Sequence, residues 1–354
     1  FTLAAMNFLE KSWCKKSAWL VLLAPLSALF NLLAKSRRKK LESDPNRLVL
    51  SVPVIVIGNI SAGGTGKTPV VIALIEELKS RGYKPGVISR GYGGDPQDTP
   101  LSVDESTSVT QSGDEAKLIS QLCSVPVVVD PLRDRAYTYI VDSFNVDVVV
   151  SDDGLQHYKL PRTIEVAVVD GQRMFGNERV FPAGPLREPV ERLADVDFIL
   201  LNGTDSLTEQ QTLAATAKIA AFVKPGVLEL LPTFFINQQS GEKKPFAGAP
   251  FNMGNRLQAV TGLGNPERFF NLLETLSYQV ERYPFPDHHR FLKSDFEQLN
   301  LDEFQPIVMT EKDAIKCEDF AKSNFWTLKV ELTLPDSFVD DVVGLLKAKA
   351  GEQL

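Results

Sequence analysis

Apolar residues are distributed unevenly along the chain. Between Lys16 and Lys35 runs an uncharged stretch of eighteen residues, SAWLVLLAPLSALFNLLA. As a helix rising 1.5 Å per residue it is about 27 Å long, close to the ~30 Å hydrocarbon thickness of a bilayer. Ser17, Ala24, Ala28, Asn31 and Lys35 recur on one face of that helix, so two placements stay open, a single membrane span or a helix lying in the interface. From Leu48 the pattern changes to β-branched runs: LVLSVPVIVIGNI, then PGVIS at 85–89, VPVVV at 125–129, VDVVVSDDG at 146–154, IEVAVVD at 164–170 and VDFILLN at 196–202. Near-continuous apolar runs of this kind fill parallel sheets buried on both faces. With helical stretches such as VVIALIEELKSRG between them, they predict an α/β fold with an open, doubly wound, mostly parallel sheet whose ligand sits at the carboxyl ends of the strands.

After about residue 230 the texture shifts to a Pro-, Gly-, Asn- and Gln-rich segment, LPTFFINQQSGEKKPFAGAPFNM, which suits a linker ribbon. The α/β pattern then restarts with RLQAVTGLG, the helix PERFFNLLETL, PIVMT and FWTLKVEL. The expected organisation is therefore an N-terminal membrane helix at 1–44, a large domain at 45–230, a ribbon at 231–256 and a smaller α/β domain at 257–354.

Composition narrows the class. A chain of 354 residues with 44% hydrophobic and 23% charged positions suits about two globular domains and excludes disorder as the main state. Its three cysteines, Cys14, Cys123 and Cys317, are too few and too far apart for a disulfide framework or a Cys-rich metal site, which points to a reducing compartment. The net charge of −7 hides an asymmetry: residues 1–40 hold eight Lys/Arg against one acid, and the remaining 314 residues hold 30 against 44. An acidic body argues against nucleic acid as a partner. Lys11, Lys15 and Lys16 precede the apolar stretch, and the heavier group of Lys35, Arg37, Arg38, Lys39 and Lys40 follows it. By the positive-inside rule the body lies on the cytoplasmic side. LLAKSRRKK also reads as a retained boundary and not as a cleavage site.

The candidate chemistry begins after the first strand. SAGGTGKT spans Ser61, Ala62, Gly63, Gly64, Thr65, Gly66, Lys67 and Thr68, between a strand and a helix. That context makes it a phosphate-binding Walker A loop: backbone N–H groups cradle the phosphates, Lys67 reaches the β- and γ-phosphates, and Thr68 ligates Mg²⁺. Ser61 stands where the formal pattern has Gly. The strand at 146–152 ends in Asp152 and Asp153, and one of these is the Walker B carboxylate for Mg²⁺.

Seven segments in order resemble the tetraacyldisaccharide 4′-kinase family of lipid A biosynthesis in Gram-negative bacteria: NISAGGTGKTPV at 59–70, SRGYGG at 89–94, SGDEAKL at 112–118, SDDGLQH at 151–157, FPAGPLREP at 181–189, FPDHHRF at 285–291 and TEKDAIK at 310–316. The resemblance runs from about Met6 to the last strand. It implies a P-loop kinase that transfers the ATP γ-phosphate to the 4′-hydroxyl of a tetraacyl glucosamine disaccharide 1-phosphate, a lipid substrate, at the cytoplasmic face of the inner membrane. It also implies Asp114 as catalytic base in a dyad with a histidine, placed at His288 with His289 as the alternative. Lys67 and Thr68 match the Walker A pair, and Asp152 and Asp153 match the acidic motif of the Mg²⁺ and nucleotide site. Glu115, Arg133, Gln156, His157 and Arg187 match further metal or substrate positions, with Arg135 two residues from Arg133. The competing reading is a membrane-associated P-loop ATPase switch. Those loops carry an extra lysine immediately before the Gly pair, where this chain has Ala62.

Overall fold

The computed structural model describes residues 12–13, 17–205, 207–246, 251 and 254–351. Lys11, Lys15 and Lys16, the basic residues expected before the apolar helix, lie outside them. The chain divides into two compact units, one made of Phe1–Arg90, Val125–Glu229 and Leu334–Leu354, the other of Gly91–Ser124 and Leu230–Thr333.

The first unit is built on parallel strands β1 (Val54–Gly58), β2 (Pro85–Ser89), β3 (Val127–Val129), β4 (Val148–Asp152), β5 (Ile164–Asp170), β6 (Phe198–Asn202) and β7 (Gly226–Val227). Their spatial order is β3-β2-β4-β1-β5-β6-β7. Strands β1, β2, β4 and β5 are buried along their whole length, which is why their sequences are continuous apolar runs and not alternating ones. The order reverses at β1, so the loop after β1 opens at a topological switch point, where ligands of such sheets bind.

An apolar helix precedes β1. A 3₁₀ turn, Ala18–Leu23, runs into an α-helix, Ala24–Glu42, whose first turn tolerates Pro25 because that N–H needs no intrahelical partner. Ala18–Glu42 is the one helix among the described residues long and apolar enough to cross a membrane. Leu20 and Ser27 are buried against the unit, and Val21, Leu22, Leu26, Leu29, Leu32 and Leu33 are exposed. The Ser27 hydroxyl accepts a hydrogen bond from the Ala183 N–H at 2.9 Å, and Phe30 meets Phe181 edge-on at 5.6 Å. The packed face is not the stripe of small and polar residues, of which Ala24, Ala28 and Lys35 point outward. Packing chose the residues that complement the 181–183 segment.

The second unit carries a six-stranded sheet. Its strands are β8 (Glu229–Asn237), β9 (Lys243–Pro245), β10 (Arg256–Thr261), β11 (Gln279–Pro284), β12 (Ile307–Met309) and β13 (Phe325–Thr333), in the order β9-β8-β13-β12-β10-β11. The ribbon expected at 231–256 is thus no linker: β8 and β9 form an antiparallel pair in this sheet, and Phe235 is fully buried beside Leu257, Phe270 and Trp326. Two further boundaries differ from the contiguous domains expected. Gly91–Ser124 joins the second unit, where the helix Asp114–Cys123 carries Glu115 onto Lys312. The C-terminal helix Asp336–Gly351 returns to the first, with Phe338 edge-on to Phe198 of β6 at 5.1 Å.

Candidate active site

In the first unit, β1 ends at Gly58, residues 61–66 form the loop, and the helix Lys67–Ser80 begins at its far end. Two neighbouring strands hold the loop. Asn202, at the end of β6, donates its side-chain amide to the Thr65 carbonyl at 2.9 Å, and a Cβ on Gly66 (φ +81°) would overlap that amide nitrogen. Asp170, at the end of β5, takes Arg173 Nε at 3.1 Å, and the same guanidinium donates to the Gly64 carbonyl. The segment after β5 also doubles back onto the loop: the Ala62 N–H bonds the Pro185 carbonyl and the Arg187 N–H bonds the Ile60 carbonyl, each at 2.7 Å. Arg187 is thereby placed beside the phosphate loop.

Lys67 Nζ lies 3.4 Å from Asn59 Oδ1 and 3.4 Å from Asp153 Oδ1. Asp153 has a left-handed backbone (φ +46°) that turns it away from the strand, and Arg187 Nη1 reaches its carboxylate at 3.2 Å. Burial pushes the Asp153 carboxyl up, but Lys67 and Arg187 outweigh burial and hold it at about 2. Asp153 is thus a counter-charge for two cations. Asp152 ends β4 and is 1% exposed. Arg133, also buried, donates to the Asp152 carbonyl at 2.8 Å and the Asp130 carbonyl at 3.2 Å, and burial lowers its pKa to about 10 against the pull of Asp152 and Asp153. Arg135 instead grips the Asp130 carboxylate. His157 is held neutral: burial, then Arg133 and Arg90, bring it down to about 4. Gln156 Nε2 donates to the Asn59 carbonyl at 3.0 Å and to Glu188 at 2.9 Å.

In the second unit, Asp114 is the first residue of the helix Asp114–Cys123 and is 5% exposed. Gly113 before it has φ +80° and packs so closely on the Tyr92 carbonyl that a Cβ would overlap it. His288 Nδ1 lies 3.1 and 3.2 Å from the two Asp114 oxygens, across 174 residues of sequence. His289 turns the other way and pairs with Asp295 at 2.9 Å. The structure thus sets His288, and not His289, against Asp114. Two lysines of the TEKDAIK segment complete the cluster, Lys312 in the short helix Glu311–Ala314 and Lys316 in the turn that follows it. Lys316 is 3.6 Å from Asp114 and 2.9 Å from Asp313, and Lys312 is 3.8 Å from Asp114, 3.0 Å from Glu115 and 3.5 Å from His288 Nε2. Burial raises the Asp114 carboxyl, but the His288 hydrogen bond and the two lysines bring it down to about 2. His288 moves the opposite way: burial and Lys312 lower it, and the bond and charge of Asp114 outweigh them and raise it.

Glu115, expected as a metal ligand, lies 3.0 Å from the Lys312 ammonium. Among the described residues no group of three or more His, Cys, Asp or Glu side chains could hold a metal by itself. In the first unit Thr68 and Asp152 offer a hydroxyl and a carboxylate. Such hard oxygen donors suit Mg²⁺, which usually takes one or two protein ligands and completes its shell with substrate phosphates and water. Sequence reasoning gave no role to Asn59, Arg173, Glu188, Asn202, Lys312 or Lys316. Arg173, Glu188 and Asn202 act through contacts remote in sequence, as do the two lysines on Asp114.

Comparison with known proteins agrees with these observations over nearly the full length. The family model described as "Tetraacyldisaccharide-1-P 4′-kinase" matches residues 19–347. A tetraacyldisaccharide 4′-kinase of Pseudomonas fluorescens is 42% identical over 338 residues, 95% of this chain and 95% of the relative. One from Vibrio cholerae is 43% identical over 328 residues, 92% and 91% of the two chains. The crystal structure of LpxK from Aquifex aeolicus in complex with ATP superposes with a TM-score of 0.73 at 25% identity, covering 92% of this chain and 99% of that one. With its phosphate loop, acidic motif and Asp–His pair lying inside the matched region, the chain belongs to the tetraacyldisaccharide 4′-kinase family.

Proposed function

We propose that this chain transfers the γ-phosphoryl group of ATP to the 4′-hydroxyl of an acylated glucosamine disaccharide 1-phosphate, with Mg²⁺, at the cytoplasmic face of the inner membrane. The observation that carries this reading is the Asp114–His288 contact at 3.1 Å. An alcohol acceptor gives up its proton as it is phosphorylated, and this pair offers a place for it.

The loop N–H groups and Lys67 bind the β- and γ-phosphates, and Asp153 and Arg187 keep Lys67 and its surroundings in charge balance. Thr68 and Asp152 would hold the Mg²⁺, whose contribution is to neutralise charge on the phosphates. Arg133, Gln156, His157 and Arg187 contact the acceptor or the transferred group. Phosphoryl transfer is chiefly positioning and charge stabilisation. The acceptor proton is the remaining problem, and the electrostatics favour reversing the roles expected from sequence. Asp114, held at about 2, is a weak base, whereas His288, raised above its ordinary value, is the stronger base once it is neutral. His288 therefore takes the proton at Nε2, and Asp114 holds the ring by Nδ1–H and stabilises the imidazolium.

The exposed leucines of Ala24–Glu42 and its exposed cations Lys35, Arg37, Lys39 and Lys40 attach the enzyme to the membrane, whereas Arg38 turns inward onto Tyr158 and Asp195. The test is ³¹P NMR of the product formed from ATP and the tetraacyl disaccharide 1-phosphate: a new phosphomonoester at the 4′ position is expected, and phosphate at another position, or inorganic phosphate alone, overturns the reading.

A further inference from the structure

Behind the phosphate loop lies a buried polar cage that no role above accounts for. At its centre is the ring of Tyr158, with the guanidinium carbons of Arg162, Arg38 and Arg192 at 4.8, 5.0 and 5.8 Å from its centroid. The Tyr158 hydroxyl donates to Glu188 Oε1 in a short contact and accepts from Arg192 Nε at 3.1 Å. Arg192, nearly fully buried, also donates to both Glu165 oxygens at 2.7 Å, and Arg162 reaches Glu165 at 2.6 Å. The carboxylates of Glu165 and Glu188 thus offset the guanidinium groups of Arg192 and Arg162, so that removing one member leaves its buried partner charge uncompensated.

The cage has two outlets. Toward the site, Gln156 Nε2 stands between two groups that can only accept, the Glu188 carboxylate at 2.9 Å and the Asn59 carbonyl at 3.0 Å. That fixes which end of the amide is nitrogen and leaves Gln156 Oε1 turned to Arg187 Nη1, at 3.5 Å. Toward the membrane helix, Arg38 covers the Tyr158 ring and holds Asp195 at 2.9 Å. Arg38 lies on the same helix as Ser27, which bonds the 181–183 segment.

We propose that Glu188 and Tyr158 are positioning residues that fix the orientation of Gln156 and Arg187, and that Arg38 extends this support to the N-terminal helix, making the helix a structural part of the acceptor site as well as an anchor. The proposal rests on the phosphotransfer reading above. It separates two effects of the helix that deletion would confuse, attachment to lipid and the shape of the site.

The experiment is steady-state kinetics of the full chain in detergent micelles, with vesicle sedimentation and thermal melting measured in parallel. Glu188→Ala is expected to lower kcat/KM for the lipid acceptor roughly tenfold or more, as misplacement of positioning groups does, while KM for ATP changes less than about threefold. Arg38→Met and Tyr158→Phe should each lower it about three- to tenfold with vesicle binding unchanged, and their double variant should be no worse than Tyr158→Phe alone within about twofold, because Arg38 reaches Glu188 only through the Tyr158 hydroxyl that the Phe variant lacks. If Glu188→Ala melts below the assay temperature, Glu188→Gln, which keeps an acceptor oxygen for Gln156, replaces it and should retain more activity than Tyr158→Phe in the Arg38→Met background. An Arg38→Met enzyme with wild-type kcat/KM, a loss that merely tracks vesicle binding, or multiplicative losses in the double variant overturn the proposal. A wild-type enzyme that phosphorylates no lipid acceptor overturns the phosphotransfer reading itself.

Discussion

Asp114 shows how neighbours decide what a residue can do. Held at about 2 by His288, Lys312 and Lys316, it is an anion throughout the physiological range, and its negative charge raises His288. If His288 must be neutral to accept the sugar proton, kcat/KM should rise with pH through an apparent pKa above the ordinary histidine value of ~6.5. Replacing Asp114 by Asn removes the anion, so that limb should move to lower pH while turnover falls by the ~10²–10⁴ typical of lost acid–base catalysis. His288→Ala should lose a comparable factor, and the double variant should be little worse than either, since residues acting as a unit are non-additive. A limb that stays in place in Asp114→Asn, or losses that multiply, would contradict the pairing. At the phosphate loop, Lys67→Ala should cost well over tenfold in turnover, beyond ~1.4 kcal/mol of barrier, with the fold intact by circular dichroism. Gly66→Ala should abolish ATP binding measured by calorimetry, because the added Cβ meets Asn202 at a φ that alanine rarely adopts.

Among the elements, the Ala24–Glu42 helix has one face that docks and one that faces outward. Leu26, Leu29 and Leu33 belong to the outward face, and each leucine transferred from water to an apolar phase is worth about 1.5–3 kcal/mol. Changing all three to Gln should weaken partition onto anionic vesicles by at least about tenfold and leave kcat on a micellar acceptor near wild type. Unchanged flotation would place the membrane-binding surface elsewhere. Elements whose cause is local were legible in the sequence: the parallel strands by their unbroken apolar runs, the phosphate loop by its glycines between strand and helix. Elements whose cause is remote were not. The 231–256 segment reads as a ribbon because Pro and Gly interrupt it, yet Phe235 enters a core assembled from Leu257, Phe270 and Trp326. The membership of 91–124 in the second unit depends on contacts with residues near 288 and 312, which no window of sequence displays. For the same reason the choice between His288 and His289, two adjacent residues of one motif, needed the fold.

At the scale of the whole molecule, the first unit carries the phosphate loop with Lys67 and Arg187, and the second carries the Asp114–His288 pair. The strongly basic N-terminal forty residues set against an acidic body suit a membrane-attached enzyme acting on a lipid. The destination of the γ-phosphate distinguishes a lipid kinase from an ATPase most directly. With γ-³²P-labelled ATP, Mg²⁺ and the full chain in micelles, label should pass to the tetraacyl disaccharide 1-phosphate, far less to the same disaccharide stripped of its acyl chains, and still less to water, with the lipid product lost in Lys67→Ala and His288→Ala alike. Label released chiefly as inorganic phosphate, unaffected by the lipid or by His288→Ala, would contradict it.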